Sequence, residues 1–314
     1  MPFQSKFVAE PKTAAIIGCL FSGGGPRGGV EKGPVHIVEA GLERQLTALG
    51  WKVVFNGYHK FEDMKAEGGP PIGNLNNPRL VSRVNESVAK TVGSHESQGY
   101  LPITLGGDHS LAMGSISGTL SVHPDACVFY IDAHADINTP ETSGSGNMHG
   151  MPLSFVLGLG DKIPEFAWIK SILKAGRLVY IGLRDLDTTE KQILHDNKIK
   201  AFSMHEVDKY GIGKVVEMAL DHVNPNRDLP IHISFDIDAL DPSVAPATVF
   251  PVRGGLSFRE GRYICEAISD TRLLVALDVM EVNPTVGDEA GVRQTVAVAC
   301  SLVRSALGET LAKL

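Results

Sequence analysis

The chain has 314 residues, of which 43% are hydrophobic and 21% are charged, and this is the composition of a globular protein that can bury a large core. The formal net charge is -7, so a basic surface for nucleic acid or for anionic lipid is not expected. The four cysteines form no C-x-x-C pair, the N-terminus shows no apolar leader, and no apolar run reaches the length of a membrane span. We therefore expect a soluble cytoplasmic protein with buried free thiols.

Short apolar runs alternate with amphipathic stretches along the chain. In chain order, strands are predicted at 14–19, 52–55, 101–105, 127–131, 178–182, 199–202, 231–235 and 273–279. Helices are predicted at 35–49, 78–99, 110–120, 188–197, 214–223 and 257–269, with a last helix at roughly 291–311. Eight strands with helical crossovers predict a largely parallel sheet covered on both faces, and a closed eight-stranded barrel is the alternative. The sequence contains no repeat or long linker, so we expect a single domain over 1–314.

Acidic and histidine residues follow five of the predicted strands. The pattern is densest in the pentapeptide Asp-Ala-His-Ala-Asp, residues 132–136, which comes directly after the apolar run 128–131. In a parallel sheet the carboxyl ends of all strands share one edge, where ligands bind in open α/β folds. We expect one site there, built from His109, Asp132, His134, Asp136, Asp185, Asp187, Asp236, Asp238 and Glu281.

Six of these residues have the chemistry of metal ligands. Burying unpaired carboxylates is costly, so the side chains should converge on cations. The six are His109, Asp132, His134, Asp136, Asp236 and Asp238. Oxygen donors with some imidazole and no cysteine suit Mn²⁺, and less decisively Fe²⁺, Co²⁺ or Zn²⁺. Six protein ligands are too many for one ion with an open position, but they suit two ions about 3.5–4 Å apart that activate a shared water.

The motifs around these residues resemble the arginase family of ureohydrolases. The matching stretches are Gly-Gly-Asp-His-Ser (106–110), Asp-Ala-His-Ala-Asp-Ile-Asn (132–138), Ser-Gly-Asn-Met-His-Gly (145–150), Gly-Leu-Arg-Asp-Leu-Asp (182–187), Ser-Phe-Asp-Ile-Asp-Ala-Leu-Asp-Pro (234–242) and Met-Glu-Val-Asn-Pro (280–284). They occur in the family's order and cover most of the chain. The resemblance implies a three-layer α/β/α sandwich with a mostly parallel eight-stranded sheet, two Mn²⁺ per subunit and hydrolysis of the L-arginine guanidinium to urea and L-ornithine. It also suggests a homotrimer or a multiple of trimers.

The resemblance assigns a role to each residue of the proposed chemistry. His109, Asp132, Asp136 and Asp236 look like ligands of one ion or bridges, His134 and Asp238 look like ligands of the second, and Asp132 and Asp236 resemble the bridging carboxylates. A metal-bridging hydroxide would attack the guanidinium carbon, and Asp136 would help to stabilise the tetrahedral intermediate and its proton. His149 resembles the proton shuttle to the departing amine, and Glu281 the carboxylate that orients the guanidinium.

Residues of the loop after Asp136 resemble those that select the substrate. Asn138 and Ser145 resemble residues that hydrogen-bond the arginine α-carboxylate, and Asp187 resembles the acceptor of the α-amino group, with Asp185 placed beside it. Agmatinases bind a substrate without that carboxylate and do not usually show this loop pattern. The resemblance therefore favours L-arginine.

The chain departs from the family pattern at Val249 and Phe250. The family usually has Thr-Gly-Thr-Pro-Val where this sequence reads Thr-Val-Phe-Pro-Val, 248–252, so Phe250 stands in place of a threonine near the guanidinium-binding glutamate. The phenyl ring could narrow the pocket, face the guanidinium, or turn toward the core. We expect altered substrate handling with metal binding intact.

Two other functions remain open from the sequence. One is another ureohydrolase, such as an agmatinase or a guanidino-acid hydrolase. The other is a catalytically weak arginine-binding regulatory protein, which the change at Phe250 motivates. A metallophosphatase is disfavoured because no Lys/Arg cluster near the ligands suggests a phosphate clamp.

Overall fold

Eight β-strands and the helices between them form the fold. The computed structural model describes residues 5–10, 12–61, 72–170 and 172–310. The strands are β1 (Thr13–Leu20), β2 (Lys52–Lys60), β3 (Leu101–Leu105), β4 (Cys127–Ile131), β5 (Leu178–Leu183), β6 (Lys200–Ser203), β7 (Ile231–Asp236) and β8 (Leu274–Met280). Each lies at a strand that the apolar runs predict, with ends that differ by a few residues.

The strands form one open, all-parallel sheet. Its order is β2-β1-β3-β8-β7-β4-β5-β6, and every neighbouring pair runs parallel. Because β2 and β6 have no pairing with each other among the described residues, the sheet does not close, and the alternative of a closed barrel is wrong. The predicted α/β class with a parallel eight-stranded sheet is confirmed.

The helices follow the predicted pattern with three differences. They are α1 (Gly33–Glu39), α2 (Leu42–Ala48), α3 (Pro78–Ser97), α4 (Ala112–Val122), α5 (Pro152–Leu157), α6 (Thr188–Asp196), α7 (Met204–Tyr210), α8 (Ile212–Val223), α9 (Phe258–Thr271) and α10 (Glu289–Ala306). The helix predicted at 35–49 is divided because Gly41 adopts a φ of 87°, which ends the helical path. The short helices α5 and α7 were missed. The last helix ends at Ala306, short of the predicted end at Leu311, which itself lies outside the described residues.

Apolar side chains cover both faces of the sheet. Alternate residues of β4 enter different clusters: Phe129 packs with residues of α1, α2, α8, α9 and α10, whereas Val128 and Tyr130 pack with α4 and α5 on the other face. This alternation makes three layers, with the sheet between two layers of helices. All four cysteines are buried and free, and burial raises their thiol pKa values. Within the described ranges, no helix combines the length and the apolar character needed to cross a membrane.

The carboxyl ends of the central strands are brought close together by tight backbone contacts. A Cβ on Gly107 would lie 1.6 Å from the carbonyl oxygen of Phe21, so only glycine fits where the loop after β3 passes the end of β1. The Glu281 amide then donates to the Gly107 carbonyl over 3.0 Å. Asp136 and Glu281 adopt φ values of 50° and 64°, conformations that side chains other than glycine rarely adopt. The carboxyl edge of the sheet, where the sequence predicts the site, therefore contains residues with strained backbone conformations.

Candidate metal centre and its cavity

The first group of candidate ligands surrounds His109, which lies just after β3. Nδ1 of His109 is 3.0 Å from Asp236 Oδ2, 3.1 Å from Asp132 Oδ2 and 3.4 Å from Asp136 Oδ2. The other ring nitrogen, Nε2, lies 3.0 Å from the Ser234 hydroxyl, so Nδ1 is the nitrogen that faces the carboxylates. Suitable ligand atoms of His109, Asp132 and Asp236 all lie within 4.8 Å of one another.

The second group surrounds His134, in the loop after β4. Nδ1 of His134 lies 3.4 Å from Asp132 Oδ1 and 3.3 Å from Asp238 Oδ2. Ligand atoms of Asp132, His134 and Asp238 again lie within 4.8 Å of one another, so Asp132 belongs to both groups. The six residues predicted as ligands from the strand ends thus lie in one cluster, with Asp132 between the two histidines.

Short backbone contacts orient the carboxylates. Oδ1 of Asp132 accepts the amide of His134 over 2.7 Å, and Oδ1 of Asp236 accepts the amide of Asp238 over 2.8 Å. Each aspartate thereby caps the turn that follows its own strand and presents its second oxygen to the cluster. The neighbouring Asp108 is not part of the cluster, because its carboxylate accepts the amides of Gly24 and Ser110.

The electrostatics of the cluster fit a site for divalent cations. Burial, and then the charges of neighbouring aspartates, raise the pKa values of Asp136, Asp236 and Asp238. Burial acts to lower the pKa of His109, but Asp132 and Asp136 outweigh it and raise the value to about 9. Oδ2 of Asp132 is buried and lies 3.1 Å from His109 Nδ1, but within the described part of the chain it accepts no hydrogen bond of good geometry. A buried carboxylate oxygen among other crowded carboxylates is the environment that a bound cation relieves.

Glu281 and His149 lie beside the cluster. Oε1 of Glu281 accepts the backbone amide of His109 over 2.8 Å and lies 3.8 Å from His149 Nδ1. Burial, and then the charges of Asp236 and Asp108, raise the Glu281 pKa. Burial, and then the charges of His134 and His109, lower the His149 pKa to about 4, so its imidazole is neutral near pH 7. The backbone amide of His149 donates to the Gly24 carbonyl, which ties the glycine-rich loop at 21–33 to this site.

A cavity of about 420 Å³ opens over the cluster, and most residues predicted for the site line it. Those that do are His134, Asp136, Asn138, Ser145, His149, Asp185, Asp187, Asp236, Asp238, Phe250 and Glu281. His109 and Asp132 lie beneath it, with side-chain exposures of 1% and 0%. This volume suits a small molecule.

A hydrogen-bonded loop forms part of the cavity wall. Nδ2 of Asn138 donates to Asp187 Oδ2 over 3.1 Å, and Oδ1 of Asn138 accepts the hydroxyls of Thr142 and Thr189. Ser145 accepts the amide of Asn147 with its hydroxyl, and Asp185 is largely exposed with one oxygen 3.7 Å from His134 Nε2. These polar groups line the same cavity as the carboxylate cluster, so the cavity offers hydrogen-bonding groups besides the candidate ligands.

Phe250 lies between the two cavity histidines. Its ring stacks on that of His149, with centroids 5.4 Å apart and an interplanar angle of 19°, and meets the ring of His134 edge-on at 6.4 Å. The residue is 38% exposed and lines the cavity, so the alternative in which its ring turns toward the core is wrong. Val249, by contrast, is buried.

The structure adds residues that the sequence did not single out. The Arg184 guanidinium donates to backbone carbonyls on both sides of the site, including those of Asp238 over 2.6 Å and Val252 over 2.7 Å. Ser234 contacts His109, and the Tyr130 hydroxyl donates to Asp136 Oδ2 over 2.8 Å. The alternation Ile-His-Ile-Ser-Phe-Asp in β7 is a usable signal for Ser234, since it places Ser234 on the same face as Asp236. Tyr130, in an otherwise apolar strand, carries no such signal.

Comparison with known proteins agrees with the motifs. The model of the Arginase family matches residues 12–308. A protein of Glaciozyma antarctica named arginase is 60% identical over 99% of this chain and 92% of its own length. The structure of arginase from Bacillus caldovelox is 35% identical with a TM-score of 0.87, covering 96% of this chain and all of that one. The structure of Entamoeba histolytica arginase in complex with L-ornithine is 28% identical with a TM-score of 0.84, covering 95% of this chain and 98% of that one.

Proposed function

The chain belongs to the arginase family, and we propose that it hydrolyses the guanidinium of L-arginine to urea and L-ornithine. The observation that carries the proposal is the buried cluster of four aspartates and two histidines at the carboxyl edge of the sheet, with Glu281 and His149 on the same cavity. The substrate is supported by the names of the relatives and by the L-ornithine bound to the Entamoeba enzyme.

Two Mn²⁺ ions per subunit are part of the proposal. One would be held by His109 and Asp136 and the other by His134 and Asp238, with Asp132 and Asp236 between them. The donor set of carboxylates and imidazoles suits Mn²⁺, and the buried Oδ2 of Asp132, which accepts no hydrogen bond of good geometry among the described residues, supports a cation in this place. When bound, such ions lower the pKa of a coordinated water, so that hydroxide is available near neutral pH.

Glu281 would bind and orient the guanidinium. Its carboxylate is buried beside other acidic groups, and burial, followed by the charges of Asp236 and Asp108, raises its pKa. A guanidinium offers paired N–H donors that match a carboxylate in geometry and in charge. Binding the substrate would therefore satisfy a carboxylate that the protein alone leaves poorly compensated.

His149 would move the proton that the reaction requires. Addition of water to the guanidinium carbon gives a tetrahedral centre, and breaking its C–N bond releases ornithine only if the departing nitrogen gains a proton. The Asp136 carboxylate would hold that proton first, and the His149 imidazole, which is neutral near pH 7 with a pKa of about 4, would pass it to the amine. The net change converts water and the guanidinium into urea and a protonated amine.

The loop that lines the cavity would select the amino-acid part of the substrate. Asn138 and Ser145 would bind the α-carboxylate, Asp187 would accept hydrogen bonds from the α-amino group, and the exposed Asp185 lies beside them. The extent of the cavity from Glu281 to this loop supports a substrate with polar groups at both ends.

A comparison of substrates tests the proposal. Mn²⁺-loaded protein would be assayed for urea release from L-arginine, agmatine and a guanidino acid, side by side at pH 7 and pH 9.5. We expect turnover of L-arginine to exceed that of the other two, because only L-arginine offers both α groups to the loop. Faster turnover of agmatine or of the guanidino acid would instead assign the chain to another ureohydrolase activity.

The position of Phe250 supports a second candidate function. Its ring covers His149, the proposed proton carrier, which supports an arginine-binding regulatory protein with weak catalysis as the alternative. Tight binding of L-arginine without urea release would favour that alternative.

For the assembly and compartment, we propose a single-domain chain that forms a cytoplasmic homotrimer or a multiple of trimers. The match of the family model over residues 12–308 supports one domain, and the family resemblance alone supports the trimer. A solution mass of one chain, measured by light scattering, would contradict the trimer.

A further inference from the structure

Tyr130 is a buried residue of β4 whose side chain contacts two of the candidate ligands at once. Its hydroxyl donates to Asp136 Oδ2 over 2.8 Å. Its ring lies parallel to the imidazole of His109, with centroids 4.6 Å apart and an interplanar angle of 9°. The residue is fully buried, so water does not compete for either contact.

The two contacts constrain the geometry of the ligands. The imidazole of His109 is held by Ser234 at Nε2 and by the Tyr130 ring along one face, which fixes the direction in which Nδ1 points. The same Oδ2 of Asp136 that accepts the Tyr130 hydroxyl lies 3.4 Å from His109 Nδ1. Partners of this kind orient ligands and tune metal affinity although they do not touch the ion.

The contacts of Tyr130 are confined to one half of the cluster. Across the described residues, its side chain has no hydrogen bond and no ring contact with His134 or Asp238, the ligands proposed for the second ion. Its other aromatic neighbour is Tyr180, whose ring it meets edge-on at 5.5 Å. The support that Tyr130 gives is therefore asymmetric between the two ion positions.

We propose that Tyr130 is a positioning residue for the ion at His109 and Asp136, acting through the side chains of those two ligands and not through His134 or Asp238. The inference rests on the proposed two-ion function. It predicts that loss of the Tyr130 hydroxyl weakens one ion position and leaves the other unchanged.

Tyr180 provides a matched control. It is also fully buried, it lies on the neighbouring strand β5, and its hydroxyl donates over 2.8 Å to the carbonyl of Ala135 in the same ligand loop. Tyr180→Phe thus removes a buried hydroxyl that supports the loop backbone but, among the described residues, forms no hydrogen bond with a ligand side chain. Both substitutions keep the aromatic ring.

The experiment is a titration of Mn²⁺ into chelator-stripped wild type, Tyr130→Phe and Tyr180→Phe, followed by calorimetry and by electron paramagnetic resonance. For Tyr130→Phe we expect one of the two affinities to fall by about 10–100-fold, while the other stays at the wild-type value. In Tyr180→Phe both affinities should stay close to those of the wild type. The resonance spectrum of Tyr130→Phe should show single ions at Mn²⁺ concentrations where the wild type holds coupled pairs.

Three outcomes would overturn the inference: wild-type affinity at both positions of Tyr130→Phe, an equal loss at both, or the same selective loss in Tyr180→Phe. Thermal unfolding without metal adds a second measurement. A metal-free midpoint of Tyr130→Phe well below that of Tyr180→Phe would make the hydroxyl structural and would also overturn it. Because affinity is measured without substrate, a wild type that binds two Mn²⁺ but releases no urea would contradict the proposed function and not this inference.

Discussion

Phe250 lines the cavity between His149 and His134, and its ring contacts both of them. Its stack on His149 covers one face of the imidazole that would carry the proton. A hydroxyl at this position would instead offer a polar partner near the buried Glu281, and loss of such a partner costs about 1–3 kcal/mol. Phe250 is therefore expected to alter substrate handling without touching the candidate ligands of the first group.

We predict that Phe250→Thr raises kcat/KM for L-arginine by about fivefold or more, which corresponds to about 1 kcal/mol of recovered polar stabilisation. Steady-state kinetics of the Mn²⁺-loaded protein measure the change. Phe258→Thr is the matched control, since Phe258 is 37% exposed, similar to the 38% of Phe250, and does not line the cavity. An unchanged or lower kcat/KM in Phe250→Thr would contradict the interpretation.

Residues of the site could be predicted from the sequence only where the side chain is itself of a type that binds metal ions or carries charge. His109, Asp132 and Asp238 could be identified because charged side chains at strand ends require a partner. Tyr130 and Arg184 could not, because their roles depend on side-chain directions and on contacts with residues far away in the sequence. The position of Phe250 was equally open, since a loop residue has no period that tells which way it points.

At the scale of elements, α3 and α4 are joined to the sheet by a buried polar network. Thr119 in α4 donates to Glu96 in α3 over 2.7 Å and contacts His232 Nδ1 at 2.8 Å. Nε2 of His232 lies 2.8 Å from Asp278 Oδ2, to which the Ser115 hydroxyl also donates. The network lies under β7 and β8, away from the cavity, and none of its members was predicted to have a role.

The carboxyl of Glu96 gives this network a pH dependence. Burial, opposed in part by the Thr119 hydrogen bond and by His232, raises the Glu96 pKa from 4.5 to about 7. His123 Nε2 is 3.9 Å from its second oxygen, and Asp278 adds a like charge. Because the folded state holds this proton more tightly than the unfolded state, the contribution of Glu96 to stability is full below about pH 4.5 and is lost as pH rises through about 7.

We therefore expect Glu96→Gln to stabilise the protein at pH 8 and to have little effect at pH 5. The shift from 4.5 to about 7 corresponds to roughly 3 kcal/mol of unfolding free energy at most, and glutamine can still accept the Thr119 hydroxyl. Thermal unfolding at the two pH values measures the difference. Glu86→Gln is the control, since Glu86 lies on the same helix in a surface ion pair with Lys90. An equal effect of Glu96→Gln at both pH values would contradict this account.

The positions of the strands and longer helices could be predicted from the hydrophobic periodicity of the sequence. The exact ends of these elements and the break within one helix could not. The strands were found because buried parallel strands are short continuous apolar runs. The division of the predicted helix 35–49 at Gly41 and the short helices α5 and α7 depend on backbone conformation and packing that periodicity does not carry.

At the scale of the whole molecule, topology creates the site. The chain places β8 and β7 between β3 and β4, so Glu281, Asp236, His109 and Asp132 meet although they are up to 172 residues apart. The rule that carboxyl ends of parallel strands share an edge was enough to predict that they meet, whereas the strand order itself was not predicted. Because of that strand order, the ligand atoms within each of the two groups lie within 4.8 Å of one another.

The most direct test of the account is to titrate Mn²⁺ into chelator-stripped protein while counting bound ions and measuring urea release from L-arginine. We expect no urea release from stripped protein and a rise in rate as the chain fills to two ions, with L-ornithine formed in equal amount. Two bound ions without urea release, or full urea release from the stripped protein, would contradict it.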